Sequence, residues 1–102
     1  MTQLSLSSRA RLDLHEIWMY VATESGNPDR ARMLLRRIGA TLSLLRTNPR
    51  LGRRRPELGR DLRSFPIDDY LIIYQAGGGD VWVVRIVHGR RDLAALFPPE
   101  SQ

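Results

Sequence analysis

The 102-residue sequence contains neither cysteine nor lysine, and each absence excludes a class of chemistry. Without cysteine the chain has no disulfide and no thiolate, which fits a reducing compartment such as the cytoplasm. Without lysine it has no lysine general base. All sixteen basic side chains are therefore arginines, which carry a fixed charge and donate paired hydrogen bonds to carboxylates and phosphates.

Several longer patterns are also missing. No run approaches the roughly 20 apolar residues that cross a bilayer, and the first ten residues lack the basic and apolar regions of an export signal. There is no glycine-rich phosphate loop and no Ser–His–Asp spacing. The two histidines, His15 and His88, stand far apart without a metal-ligand pattern. The sequence thus predicts no membrane segment, no metal and no organic cofactor.

Positive charge is what the sequence has in excess. Sixteen arginines against eleven acidic residues give a formal net charge of +5. A GC-rich genome would also favour arginine over lysine, but the surplus of charge still indicates an acidic partner, either a nucleic acid or a protein segment rich in Asp and Glu. With 42% apolar residues, we expect residues 1–102 to form a single domain.

The first half of the chain has the pattern of a strand followed by a helical hairpin. Residues 3–6 alternate polar and apolar, and the serines that follow are placed to cap a helix beginning near Arg9. Gly26 is placed to end this helix and Asn27 to cap the next, which ends at residues 48–49. Each helix has one apolar stripe, formed by Ala10, Leu14, Ile17, Trp18 and Val21 in the first and by Ala31, Leu34, Leu35, Ile38, Leu42 and Leu45 in the second. The polar residues of the first helix, Asp13 among them, are expected mostly off its stripe.

The second half predicts a sheet. Residues 62–67, 70–75 and 81–88 are strand-like runs, and the glycines at 77–79 allow the chain to reverse between the last two. Both alternating sets of the last run are largely apolar apart from Arg85, so we expect a central strand covered on both faces. Residues 49–60 are expected to form a connector, and residues 93–97 a helical turn capped by Asp92. The predicted fold is α+β: an N-terminal strand and an antiparallel two-helix hairpin packed on a small, mainly antiparallel sheet, with a short C-terminal helical turn.

Cationic side chains concentrate where the last strand ends. Arg85, His88, Arg90 and Arg91 are a candidate anion-binding or phosphodiester-cleaving cluster, with His88 as acid or base and the arginines stabilising negative charge. The alternative is structural: one of the two adjacent arginines pairs with Asp92 as a cap, and His88 is an ordinary polar residue at a strand end.

Other candidate features also have two interpretations. The basic loop at residues 53–55 and the arginine-rich face of the second helix suit phosphate contacts, yet both patterns are more typical of a solvated surface. Tyr70 and Tyr74 are able to stack on bases, but their alternation with apolar residues favours packing. Trp18 and Trp82 are expected in the core.

Five local strings of the sequence resemble the RelE/ParE superfamily of bacterial toxins from type II toxin–antitoxin modules. They are DLHEIWMY at 13–20, NPRLGR at 48–53, LRSF at 62–65, YLIIY at 70–74 and, the most specific, VRIVHGRRD at 84–92. The order of strand, helical hairpin and three strands also resembles that of the superfamily. The resemblance covers nearly the whole chain.

The superfamily contains two functional groups, which this sequence matches unequally. RelE-like members cleave mRNA in the ribosomal A site, using lysines on the strand after the hairpin, an arginine beside the tyrosine of the next strand, an arginine after the last strand and a C-terminal tyrosine. ParE-like members resemble them in fold but act on DNA gyrase, without established nuclease activity. Only the arginine after the last strand has a counterpart here, Arg90 or Arg91; the other positions hold Leu62, Ser64, Leu71 and Phe97.

The resemblance therefore implies a ParE-like toxin of the plasmid-stabilization type, which inhibits DNA gyrase by binding. A cognate ParD-like antitoxin with an acidic C-terminal segment would neutralise it in a hetero-oligomer, by occupying a groove of exposed apolar residues between the helices and the Arg85/Arg91 region. The residues expected to bind the target or the antitoxin are Trp18, Arg63, Tyr74, Arg85 and Arg91, with a basic loop formed by Arg53, Arg54 and Arg55.

Two alternative functions stay open. The first is a ribosome-dependent mRNA endoribonuclease in which His88, Arg90 and Arg91 are catalytic and the partners are the ribosome and mRNA. The second is a non-toxic module that only binds its antitoxin and helps to repress the operon.

Overall fold

The structure is a computed structural model, and it describes residues 3–97. Within them, five strands form one sheet in the order β1-β5-β4-β3-β2, with β1 parallel to β5 and every other neighbouring pair antiparallel. This arrangement confirms the predicted α+β fold. The elements are β1 (Leu4–Leu6), α1 (Ser8–Ser25), α2 (Pro28–Thr47), β2 (Arg53–Arg54), β3 (Leu62–Ile67), β4 (Tyr70–Gly77), β5 (Asp80–His88) and α3 (Leu93–Leu96).

The ends of the two long helices follow from capping residues in the sequence. The Ser7 hydroxyl accepts the backbone N–H of Ala10 at the start of α1, and Gly26 ends that helix in the left-handed conformation with φ of 65°. The Asn27 side chain then accepts the N–H of Asp29 at the start of α2, where Pro28 occupies the first turn. The hairpin connection is therefore confined to two residues and is confirmed as predicted.

The hydrophobic core lies between this helical hairpin and one face of the sheet. Tyr74, Ile38, Leu45 and Ile72 are among its largest fully buried side chains. A second, smaller cluster lies apart from it and joins the connector and α3 to the sheet; it is formed by Leu58, Ile73 and Val87, with Leu62, Leu93, Leu96 and Phe97 packed against them. The connector and α3 are thereby both packed against the same sheet.

A β-bulge makes the predicted faces of β5 wrong beyond Val83. Tyr74 pairs with Val83 while Ile73 pairs with Arg85, so Val84 is an extra residue on β5. The extra residue shifts the alternation, and Ile86 joins Val83 in the core instead of lying on the opposite face. The strand is interior, between β1 and β4, but its second face is covered only near its C-terminal end, where Val87 lies.

Four further expectations are corrected by the structure. Trp82 is 45% exposed and Trp18 is half-buried, because neither side chain points directly into the core. The connector contains the two-residue strand β2, which pairs with the otherwise open edge of β3. Asp13, assigned by its polarity to the outer face of α1, is buried.

None of the helices within residues 3–97 combines the length and the apolar character needed to cross a membrane.

Candidate functional site

Arg85 is held in a buried ion pair with Asp13 of α1. Its Nε lies 2.9 Å from Asp13 Oδ2 and its Nη2 lies 3.1 Å from Asp13 Oδ1, a two-pronged geometry. The two side chains are only 12% and 4% exposed. The charge of Arg85 is therefore largely neutralised within the protein, and this arginine has a structural role whatever else it contacts.

The ion pair forms because β1 is too short to cover the whole edge of β5. Beyond the last β1 pair, the chain at the start of α1 takes over: the Ser7 N–H donates to the carbonyl of Val83 and its hydroxyl donates to the carbonyl of Val84. Six residues after Ser7, Asp13 Oδ2 accepts the N–H of Ile86 at 2.9 Å. The carboxylate of Asp13 thus accepts hydrogen bonds from the backbone of β5 and from the side chain of Arg85, so that these buried donors are all paired.

His88 lines a cavity of about 200 Å³ at the C-terminal end of β5, together with Glu16, Tyr20, Tyr70 and Arg91. The imidazole packs edge-on against the Tyr70 ring, with centroids 5.5 Å apart and planes at 71°. Its Nδ1 accepts the N–H of Arg90 at 3.2 Å, which leaves the proton of the neutral ring on Nε2. Asp13 lines the same cavity, so Arg85 lies close behind it.

This cavity, which we call the His88 cavity, brings together groups that are able to move protons and to bind anions. Glu16 and His88 are the proton carriers, and Arg91 supplies positive charge. Burial raises the pKa of Tyr70 above its ordinary value of 10.0, and nearby Tyr20 and Asp69 add to the effect, so this phenol stays neutral and able to donate. Arg90 is exposed and contributes its backbone N–H rather than its side chain.

Arg63 and Tyr74 lie elsewhere and organise the loop between α2 and β2. The Tyr74 hydroxyl accepts the N–H of Gly52 and donates to the carbonyl of Pro49, both at 2.8 Å. Arg63 Nη1 donates to the carbonyls of Gly52 and Arg50, at 2.8 and 3.2 Å. Tyr74 has no exposed surface, so a partner that binds this conformation contacts the loop it holds and not its ring.

The predicted basic loop divides into two parts. Arg53 and Arg54 are exposed on β2, at the outer edge of the sheet. Arg55 is turned inward: its Nη1 donates to the Ser64 hydroxyl at 2.9 Å and its Nε binds Glu57 at 2.7 Å. The structure therefore brings His88 and Arg91 together in one cavity, leaves Arg53, Arg54 and Arg63 at another end of the sheet, and places Trp18 on the helical hairpin.

The helical hairpin also carries large apolar side chains that face solvent. Leu12 and Met19 of α1 are 45% and 52% exposed and lie two helical turns apart on one side of the helix. Met33 and Leu44 of α2 are 59% and 45% exposed and lie three turns apart on one side of theirs. Two apolar rows are thus presented away from the core, the kind of surface that marks a protein–protein interface.

No group of three or more His, Asp or Glu side chains within residues 3–97 is arranged to hold a metal ion.

Comparison with known proteins identifies the family. The model described as ParE toxin of type II toxin-antitoxin system, parDE, matches residues 4–93 of the chain. The chain belongs to the ParE toxin family. Toxin ParE3 of Caulobacter vibrioides is 41% identical over 61 residues, a match that covers 60% of this chain and 61% of that protein. The chain thus spans about three fifths of the length of this curated relative.

The fold of this ParE-type toxin is also found in a solved structure. A chain of the chromosomal ParDE TA system from P. aeruginosa matches it with a TM-score of 0.74 and 19% identity, covering 86% of this chain and 96% of the other. At that identity the likeness concerns the fold. It agrees with the strand, helical hairpin and sheet described above.

In this ParE-type toxin, the four residues that the resemblance predicts at the proton-transfer positions of RelE-like nucleases are structural side chains. Ser64 is buried and bound by Arg55, and Leu62 and Phe97 pack on the second cluster. Leu71 is half-buried opposite Val87. None of these four side chains is able to act as a base at neutral pH.

The sequence patterns did not indicate that Asp13, Glu16 and Tyr20 of this ParE-type toxin line the His88 cavity. One signal for Asp13 was available: it stands three residues after Ala10 and four before Ile17, within the apolar stripe of α1. A carboxylate on a buried stripe and an arginine in an apolar strand each need a partner, and they supply one another. No comparable signal marks Glu16 or Tyr20, because their place in the His88 cavity depends on how α1 lies against β5.

Proposed function

We propose that this ParE-type toxin inhibits DNA gyrase by binding to it, without breaking a covalent bond. The observation that carries the proposal is the match to the ParE family over residues 4–93, combined with the loss of the residues on which RelE-like nucleases depend. None of Leu62, Ser64, Leu71 and Phe97 acts as an acid or a base at neutral pH, and the chain has no lysine. What the chain does have is an excess of positive charge, which is suited to binding an acidic target.

The proposal is tested by supercoiling of relaxed plasmid with purified gyrase. Toxin at micromolar concentration is expected to inhibit supercoiling, and toxin first saturated with its antitoxin is expected to leave it unchanged. The preparation must be shown to bind the antitoxin, so that inactive protein is recognised. Unchanged supercoiling with such a preparation would contradict the proposal.

A cognate antitoxin with an acidic, partly disordered segment is the proposed neutralising partner, in a toxin–antitoxin hetero-oligomer. The support is a combination of apolar and charged surface. The apolar rows at Leu12 and Met19 and at Met33 and Leu44 offer anchors for a segment that folds on binding, and Arg91 lies next to α1 across the His88 cavity. A segment that carries both apolar and acidic side chains is suited to bind the apolar rows and Arg91 together.

Replacement of Leu12 and Met19 by serine tests where the antitoxin binds. Losing two exposed apolar anchors is expected to weaken antitoxin binding by at least about tenfold, since single anchors at interfaces are commonly worth more than about 1 kcal/mol. Leu51→Ser is the matched control, because Leu51 is 47% exposed but lies off the hairpin. Equal affinity of the double variant and the control, measured by calorimetry, would place the antitoxin elsewhere.

A ribosome-dependent endoribonuclease is the second candidate, favoured by one observation. Glu16, His88 and Arg91 line one small cavity, which is the minimum needed to move a proton and to stabilise charge. Toeprinting on translating ribosomes would then show cuts that disappear in His88→Ala. If the toxin acts on gyrase, no cuts appear and growth arrest survives this substitution. Continued growth on expression without antitoxin would instead indicate a non-toxic module.

A further inference from the structure

We propose that the β2 end of the sheet is a second binding site, one that takes the phosphates of a nucleic-acid backbone. A cleft of about 750 Å³ lies there between the loop after α2, the edge of β2 and the turn between β4 and β5, lined by Arg50, Arg54 and Arg63. It opens at the far end of β4 from Tyr70 and the His88 cavity, roughly 20 Å away at the rise of a strand. The two sites are therefore separate.

Arg63 provides a fixed cation in this cleft. Its Nη1 is already bound to the carbonyls of Gly52 and Arg50, so the guanidinium plane is held in one orientation. The remaining N–H groups of the side chain have no hydrogen-bond partner within residues 3–97, and a guanidinium has five N–H groups to donate. A cation positioned by backbone carbonyls keeps its full charge, unlike Arg85, which is neutralised by Asp13.

The arginines around the cleft also lack the acidic neighbours found elsewhere. In the part of the chain that the structure describes, Arg9, Arg32, Arg37, Arg55 and Arg85 each have a carboxylate within 4.0 Å. Within the same described residues, no carboxylate lies within 4.0 Å of a second group of arginines, which we call the cluster: Arg50, Arg53, Arg54, Arg60 and Arg63. Asp61 lines the cleft as a single carboxylate among them. The cluster therefore carries a clear surplus of positive charge.

The wall of the cleft opposite the arginines is a turn without side chains. Gly78 and Gly79 have φ of 63° and 87°, as the two-residue hairpin between β4 and β5 requires, and Gly77 precedes them. No heavy atom lies within 4 Å of a Cβ built on any of the three. A bulky polymer is thus able to approach the backbone of this turn closely.

The chemistry of the cleft favours a nucleic acid over an acidic peptide. Peptide binding depends on apolar anchors, and the large exposed apolar side chains of the hairpin lie elsewhere, with Leu51 alone at the cleft. Phosphate binding needs only charge and donors. Arg53 and Arg54 add two exposed cations on the edge strand beside the cleft.

Fluorescence anisotropy of the full chain with short labelled duplexes of mixed sequence, one of DNA and one of RNA, tests the proposal. The variant R50Q/R54Q/R60Q removes three exposed cations of the cluster. Losing three phosphate contacts is expected to weaken binding about 100-fold at 0.1 M salt and to reduce the slope of log affinity against log salt by about 2.7. The control R11Q/R30Q/R36Q removes the same charge from exposed positions on α1 and α2 and is expected to change both quantities far less.

Each outcome decides the proposal. Arginine-dependent binding of either duplex supports it, and the tighter of the two identifies the source of the phosphates. Equal losses in the two triple variants would mean that only net charge matters and would overturn it. An undiminished affinity of R50Q/R54Q/R60Q for both duplexes, or displacement of the duplex by an equimolar glutamate-rich peptide, would also overturn it. Circular dichroism of each variant confirms that it is folded.

Discussion

Replacing Asp13 by alanine leaves a buried arginine without its counter-ion and should destabilise this fold strongly. In the intact chain the carboxylate binds Arg85 through two nitrogens and accepts the N–H of Ile86, and it is almost fully buried. The variant therefore loses three hydrogen bonds. It also leaves the charge of Arg85 largely buried, with neither a counter-ion nor enough water to replace it.

The magnitude follows from the burial of the pair. Removing one member of a buried ion pair costs about 3–5 kcal/mol, a large part of the roughly 5–15 kcal/mol by which a domain is stable. The matched control is Arg9→Gln, which breaks two outer contacts, to Asp13 and to Glu16, each at 3.4 Å from a side chain that is 44% exposed. A surface contact of that kind is worth about 0–1 kcal/mol, so the control should unfold close to the parent protein.

Urea unfolding followed by tryptophan fluorescence measures the effect, with the m-value expected to stay constant. The double variant Asp13→Ala with Arg85→Met removes both charges, and we expect it to be more stable than the sum of the two single losses predicts by about 1–3 kcal/mol. A loss below about 1 kcal/mol for Asp13→Ala, or strictly additive losses, would show that this ion pair does not stabilise the packing of α1 on β5.

Three further predictions concern the glycines and tyrosines. Gly39→Ala should raise the free energy of unfolding by about 0.5–1 kcal/mol, because Gly39 lies inside α2 with nothing near its missing Cβ. Gly52→Ala should lower it by about 1–3 kcal/mol or more, since a Cβ there would meet the Tyr74 ring at 2.8 Å and its hydroxyl closer still; the urea midpoint measures both changes. Burial raises the pKa values of Tyr70 and Tyr74 above 10.0, so their neutral forms are favoured by folding, and stability should be intact below about pH 10 and fall as pH rises through the folded pKa values. Tyr74→Phe should weaken this alkaline fall, followed by tyrosinate absorbance in a chain that has no lysine or cysteine to titrate alongside.

The fold was largely predictable because the local signals agree with one another. Caps at Ser7, Gly26 and Asn27 define the helical hairpin, and the glycines at 77–79 define the turn before β5. Each of these signals acts within a few residues, and no tertiary contact overrides it. Each helix has one apolar stripe to bury, and the sheet offers the surface for it, which predicts a helical hairpin packed on a sheet.

The features that were not predictable depend on contacts between distant parts of the chain. The bulge at Val84 shifts the faces of β5, and nothing in a run of valines and isoleucines marks where an extra residue is tolerated. β2 is two arginines long and forms only because β3 has an open edge to bind it. Trp82 is exposed because the second face of the sheet is covered only near Val87, which is a matter of where α3 and the connector lie.

The candidate site was predictable in its residue types and less so in its grouping. His88 and Arg91 do line one cavity, as their closeness in sequence suggested. Arg85 is separated from them in function by its partner Asp13, 72 positions away in the sequence. Arg63 on β3 and Tyr74 on β4 both bind the loop between α2 and β2, and the sequence alone gives no reason to place their side chains there together.

The most direct test of the account is a titration of gyrase with toxin at two incubation times. An inhibitor that acts by binding should abolish supercoiling at a fixed ratio of toxin to gyrase, and this ratio should be the same at both times. His88→Ala should leave the ratio unchanged, since no proton transfer is involved. Inhibition that deepens with time at substoichiometric toxin, and that disappears with His88→Ala, would contradict the claim that this toxin acts without breaking covalent bonds.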